Sequence, residues 1–312
     1  MKCTLCGAEN LSLLSKSLRN SEGKVYYCQV CDLGMLQSSN LNIKEYYNTE
    51  YRKKFTDNIE KPSSDPATML DLRKKYQSDR LDIMIKYFKK DNNFFEIGCS
   101  AGQFLIHVRN EFSFCEGLEL DMNCAKFVEE NFNIKVFTKE LQDCGISPKR
   151  YDNIAAFQVL EHVPEPIDFL KNINKYLKDD GHAFIEVPNL YDPLLHLWQI
   201  EGYQKFYYHE AHVHYFSRKS LEKLFSLAGL KINEFHYTQD YNLFNHFYWF
   251  FNNVPQKECT FGLSAPSFKF NDQCSHVGNL VNELLANVDK EYKNILSNNE
   301  MTSNIFLVAS KA

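Results

Sequence analysis

The stretch Phe94-Phe95-Glu96-Ile97-Gly98-Cys99-Ser100-Ala101-Gly102-Gln103-Phe104-Leu105 constrains the fold more than any other part of the chain. An apolar run meets a small-residue turn and continues as an apolar-periodic segment. That order reads as a buried strand, a tight loop and a helix. Gly98 and Gly102 let the loop bend sharply and approach a ligand closely, and the amides opening the following helix would point at that ligand. A dinucleotide fingerprint would place G-x-G-x-x-G here. Glu96 instead stands where the first glycine belongs, giving E-x-G-x-x-x-G. A carboxylate there repels a pyrophosphate and suits hydrogen-bond donors or a cationic ligand.

The segments that follow alternate strand and helix, the pattern of a parallel sheet with right-handed crossovers. Strands are expected at 114–120, 134–137, 153–158, 182–187 and 230–236, and helices at 124–131, 164–177 and 220–228. Residues 304–310 read as a final edge strand. Upstream, Tyr46, Tyr47, Tyr51 and Phe55 lie near helical spacing, residues 61–66 form a break, and one helix is expected from Leu70 through Phe88. The division expected is a zinc-binding module at 1–45, a helical lid or linker at 46–90, an α/β core at 91–240, an insertion at 241–300 serving as substrate cap or interface, and a last core strand at 301–312. The insertion holds one helix, around 280–295.

The module rests on Cys3-Thr4-Leu5-Cys6 and Cys28-Gln29-Val30-Cys31, two C-x-x-C knuckles separated by roughly twenty residues, the spacing of a zinc ribbon. Four thiolates close a tetrahedron around Zn²⁺, so the site would be structural. Gly7 and Gly34 sit where knuckle turns need small residues. A segment this short has too little core to fold without such a staple.

A net charge of −5 excludes a global basic footprint for nucleic acid. No apolar run is long enough to span a bilayer, and Met1-Lys2-Cys3 does not open a secretory leader. Ten cysteines without such a leader point to a reducing cytoplasm.

In open α/β sheets ligands bind beyond the carboxyl ends of the strands, at the switch point. Three strand ends meet there: the loop after Glu96, Glu119 and Phe157-Gln158. An acid ending the second strand accepts both ribose hydroxyls of a nucleoside; Glu119 fills that place, with Asp121 a rival. Lys139-Glu140-Leu141 is a candidate for base recognition.

The residues Glu96 to Gly102, Gly117 to Glu119 and Phe157-Gln158-Val159-Leu160-Glu161-His162-Val163 resemble three signatures of class I S-adenosylmethionine (SAM) methyltransferases, a Rossmann-like α/β fold with helices on both faces of the sheet. With the cysteine knuckles and the later block Tyr207-Tyr208-His209-Glu210-Ala211-His212-Val213-His214-Tyr215, the chain resembles bacterial sugar methyltransferases that carry an N-terminal four-cysteine zinc module, including the keto-deoxysugar C-3 methyltransferases. The resemblance covers roughly residues 1–240. It implies that Cys3, Cys6, Cys28 and Cys31 hold zinc and that Tyr76, Glu96, Gly98, Ser100, Gly102, Glu119 and Gln158 line the SAM site. It further implies a sugar or sugar-nucleotide acceptor in surface-polysaccharide or glycan biosynthesis.

Methyl transfer is an in-line displacement, and a hydroxyl or enol acceptor must also shed a proton. Histidine suits that task near neutral pH. The sugar C-methyltransferases have Tyr-x-Glu-His in the later block and a pocket histidine matching His162. Here the block reads Tyr208-His209-Glu210-Ala211-His212, so counting back from Tyr215 selects His212 and counting forward from Tyr208 selects Glu210. The base stays open among His162, His212 and Glu210. The chain also lacks the additional C-terminal domain of the keto-sugar enzymes, which makes O- or N-methylation as reasonable as C-methylation. Competing readings are a zinc-ribbon RNA methyltransferase and a non-catalytic protein that keeps the SAM fold.

Overall fold

The computed structural model describes residues 1–37, 65–258 and 260–312. The expected helix-spaced tyrosines at 46–51 and Phe55 lie outside these residues.

The N-terminal module is a three-stranded antiparallel sheet, β1 (Ser12–Ser15), β2 (Val25–Cys28) and β3 (Leu33–Leu36), between two cysteine knuckles. In the first knuckle the Gly7 amide donates to the Cys3 carbonyl, and Gly7 has φ of +74°. In the second, Asp32 donates to the Cys28 carbonyl and takes the left-handed position at φ +59°. Gly34, expected to serve that turn, lies instead within β3. A Cβ there would sit 3.0 Å from Tyr215 Cβ, so its smallness admits a neighbouring strand.

The single helix expected from Leu70 to Phe88 is two. α1 (Pro66–Arg73) starts on an Asp65 cap that accepts from the Thr68 amide, and α2 (Ser78–Met84) continues into a 3₁₀ turn. Between them the Gln77 side chain donates to the Arg73 carbonyl and His107 Nε2 donates to the Lys74 carbonyl, satisfying acceptors that a continuous helix would use. The break points Tyr76 and Gln77 at the central cavity.

The main sheet contains β4 (Asn93–Ile97), β5 (Phe114–Leu118), β6 (Lys135–Phe137), β7 (Tyr151–Phe157), β8 (Leu177–Pro188), β10 (Leu230–Thr238) and β11 (Asn304–Lys311), in spatial order β10-β11-β8-β7-β4-β5-β6. Neighbours from β8 to β6 are parallel, and β11 runs antiparallel to both β8 and β10. Residues 304–310 therefore form an interior strand, not an edge. Asn304 to Ala309 are all buried, because strands flank β11 on both sides. Such a strand reads as a near-continuous apolar run, as Ile305-Phe306-Leu307-Val308-Ala309 does.

Helices join the strands. The segment after β4 is mostly turns, and α3 is only Leu105–Val108, shorter than its pattern suggested. α4 (Met122–Phe132) starts on Asp121, whose carboxylate accepts from the Asn123 and Cys124 amides, and stops at Asn133 in the left-handed conformation. α5 (Pro166–Tyr176) opens with proline and buries Leu170 and Ile173. After β8 come α6 (Pro193–His196), α7 (Glu201–Tyr207) and the two-residue β9 (His214–Tyr215). α8 (Arg218–Leu227) begins with a Ser217–Ser220 capping box. Between β10 and β11 lie α9 (Leu243–Asn252) and α10 (Ser275–Asn298).

β9 is the joint of the molecule. It pairs with β3, with Gly34 opposite Tyr215 and Met35 opposite His214, and so makes the fourth strand of the N-terminal sheet. The Leu36 amide donates to the Val213 carbonyl, and the Val213 amide donates to the Glu161 carbonyl after β7.

Candidate functional site

The strand order reverses at β4, whose neighbours β5 and β7 are reached by separate crossovers. A cavity of about 1570 Å³ opens beyond the carboxyl ends of these strands, where ligands of open α/β sheets bind. Single small ligands occupy about 300–1,000 Å³. The cavity therefore has room for two molecules side by side, as group transfer requires.

Its floor is the loop after β4. Gly98 has φ of +76°, and a Cβ on it would come within 2.6 Å of Val159 Cγ2. Ser100 adopts φ of +50°, a conformation uncommon outside glycine and typical of turns and functional loops. Its amide donates to Glu119 Oε2 at 2.8 Å, while Glu119 Oε1 accepts from the Asp121 amide at 2.8 Å. These bonds fix the carboxylate at the end of β5, facing the cavity. Glu96 is buried, and its Oε2 meets no donor among the described residues. Burial raises its pKa, with Arg80 opposing and Glu119 adding, to about 8. It is thus poised to ionise beside a cation.

Of the residues expected to hold the cofactor, Tyr76, Glu96, Gly98, Ser100, Glu119 and Gln158 line this cavity. Gly102 lies beneath it. At φ +81°, a Cβ there would meet Val128 and Phe132 of α4 at 3.2 and 3.4 Å, so glycine allows the loop to pack on that helix. Gln158, at φ +56°, donates to Glu186 and Asn304. Lys139, Glu140 and Leu141 also lie along the wall. Sequence reasoning missed Arg80 and Glu186. Arg80 forks onto both Glu186 oxygens and stacks 4.5 Å over Phe157. The signal was available, since Glu186 ends a central strand as Glu119 does.

On the opposite wall His162 lines the cavity. Its Nδ1 donates to the Ala211 carbonyl at 2.8 Å, and its ring meets that of His212 edge to face at 4.8 Å between centroids. The structure therefore brings His162 and His212 together. Burial lowers the pKa of His162 to about 4, and burial followed by His209 and His162 lowers that of His212 well below its usual value. Both are neutral at pH 7. Glu161, between them, is buried, which pushes its carboxyl up to about 8. His212, Tyr208 and Glu210 do not line the cavity, and His212 packs behind His162. Tyr208 is buried among Tyr207 and Tyr215, and its carbonyl accepts from the Arg19 amide. His214 joins the two sheets: Nδ1 donates to the Val163 carbonyl, and Nε2 accepts from the Thr4 hydroxyl.

In the N-terminal module the four Sγ atoms of Cys3, Cys6, Cys28 and Cys31 lie within 4.8 Å of one another, and none is in a disulfide. Cys3 and Cys31 are 3.3 Å apart, Cys6 and Cys28 3.5 Å. Metal–sulfur bonds of about 2.3 Å imply edges of about 3.8 Å in a tetrahedron, so the quartet fits an ion with little movement.

Residues 69–234, just over half of the chain, match the family described as a methyltransferase domain, and the chain belongs to that family. Its fold is shared with a SAM-dependent methyltransferase from Archaeoglobus fulgidus, at a TM-score of 0.50 and 18% identity, covering 76% of this chain and 94% of that one. Among curated proteins it is similar to (S)-coclaurine N-methyltransferase of Papaver somniferum, 25% identical over 39% of this chain and 37% of that protein. It is also similar to the ubiquinone biosynthesis O-methyltransferase of Serratia proteamaculans, 24% identical over 32% of this chain and 44% of that protein. The chain spans less than half the length of these curated relatives. No helix among the described residues is long and apolar enough to cross a membrane.

Proposed function

We propose that this protein is a SAM-dependent methyltransferase acting on a sugar, as a sugar nucleotide or glycan precursor, with a structural zinc in its N-terminal module. The observation that carries the reading is Glu119, held by two backbone amides at the end of β5 beside the loop in which Gly98 and Ser100 take positive φ. SAM supplies an electrophilic methyl on a positive sulfur. Glu119 accepts the ribose hydroxyls, Gly98 and Ser100 give the nucleoside close backbone approach, and Lys139 to Leu141 flank the base. Glu96 and its buried carboxyl stabilise the cationic end of the cofactor.

The acceptor enters the remaining volume. Arg73, Lys75 and Lys293 line the cavity and suit the phosphates of a sugar nucleotide. His162 presents a neutral imidazole to this volume with His212 packed behind it, and a neutral imidazole takes the proton that a hydroxyl sheds as its oxygen receives the methyl. Glu210 and Tyr208 act from behind this pair by fixing the loop that carries it. The four thiolates hold zinc and brace β3 against β9, hence against His212.

Incubation with methyl-labelled SAM and a sugar-nucleotide pool, followed by mass detection of labelled products, tests the reading. A labelled sugar nucleotide is expected. Label in RNA alone, or SAM binding without transfer to any sugar, would overturn it.

A further inference from the structure

Behind the His162 wall of the cavity lies a buried carboxyl with two imidazoles beside it. Glu161 is 1% exposed, and neither of its carboxyl oxygens meets a hydrogen-bond donor among the described residues. A buried group in that state is costly unless something pairs with it. Its Oε1 lies 3.6 Å from Nε2 of His162 and 3.9 Å from Nε2 of His212, both beyond hydrogen-bond length. Because His162 Nδ1 donates to the Ala211 carbonyl, the lone pair of that neutral ring sits on Nε2, toward Glu161. Imidazoles that bind metals are held in the same way, by a carbonyl or carboxylate on the other nitrogen.

One carboxylate oxygen and two imidazole nitrogens thus lie within 4.8 Å of one another. Bonds of about 2.0–2.2 Å to an ion imply edges of about 3.4 Å between ligands, so modest side-chain rotations close the triangle. We propose that Glu161, His162 and His212 bind a divalent first-row metal ion at the acceptor wall, in a second site distinct from the four cysteines. Two nitrogens and one oxygen suit zinc, manganese or iron, whereas the four thiolates select zinc.

Three protein ligands leave at least one coordination position open, and His162 sets the ion on the cavity. Resting on the methyl-transfer reading, that position takes an acceptor hydroxyl. The bound hydroxyl loses its proton to cavity water. Its oxygen then forms the bond to the methyl carbon as the sulfur–carbon bond breaks, with the electron pair left on sulfur. In this form His162 and His212 act as ligands.

The test needs neither cofactor nor acceptor. Chelator-stripped protein is given one equivalent of Zn²⁺ to fill the thiolates and is then titrated with Mn²⁺, followed by electron paramagnetic resonance. Wild type is expected to bind one Mn²⁺. Glu161→Gln and His212→Gln should each weaken that binding at least about tenfold, with thermal unfolding close to wild type. Absence of Mn²⁺ binding in wild type, or equal affinity in both variants, overturns the site. SAM affinity measured on the same samples separates this outcome from failure of the methyltransferase reading.

Discussion

Two acids that line the cavity differ in their surroundings. Glu119 is held as a hydrogen-bond acceptor by the Ser100 and Asp121 amides, whereas Glu96 is raised to about 8 mainly by burial. At pH 7 Glu96 therefore carries a proton in the empty protein and should release it when a sulfonium nucleoside binds. Calorimetry in buffers of different ionisation enthalpy should show release of up to about one proton on SAM binding, and none in Glu96→Gln. Glu119→Ala should weaken SAM binding roughly ten- to hundredfold, the range for hydrogen bonds to a charged group, in the same titration. His214 gives a stability prediction. Its pKa falls from 6.5 to about 4 in the fold, mainly through burial, so between those values the unfolded chain binds the proton and the folded chain does not. Its contribution is intact above pH 6.5 and is lost as pH falls toward 4, by up to roughly 3 kcal/mol. Urea unfolding across that window should show the slope, and His214→Gln should lessen it by this share while the other buried histidines, His162 among them, keep theirs. The positions of Glu96 and Glu119 were legible because strand-end acids beside a glycine loop have a sequence pattern. Glu161 was not, since its importance lies in what fails to reach it.

At the scale of elements, sequence reading succeeded where periodicity and capping coincide, as in α4, α5 and α8, and failed where tertiary contacts decide. Nothing local in Lys74-Lys75-Tyr76-Gln77 forbids a helix. His107 and Gln77 take its carbonyls, and the resulting break turns Tyr76 toward the cavity. β11 was misplaced at the edge although its unbroken apolar run is that of an interior strand. Leu307→Ala should accordingly cost about 2–5 kcal/mol in chemical denaturation, against little for a solvent-facing edge. β9 is too short to announce itself, yet it carries the joint between β3 and the loop holding His212. On the proposed function, Cys28→Ser, or chelation of a metal held by the four cysteines, should lower methyl-transfer turnover more than it lowers SAM affinity, read from kcat and from calorimetry.

As a whole, the molecule is a methyltransferase sheet with a cysteine module joined to it through β9. That Glu96, Gly98, Ser100 and Glu119 share one cavity was readable because strand–loop–helix geometry and strand-end acids follow from local sequence. The wall around His162 was less so, since it is assembled from residues after β7 and in the last third of the chain. His162 and His212 are 50 positions apart in sequence and meet only through the β7 and β9 loops. The most direct measurement is a crystal structure with S-adenosylhomocysteine. Density over Gly98, with both ribose hydroxyls on Glu119, is the expected result; an empty crevice there, or a dinucleotide in its place, would contradict it.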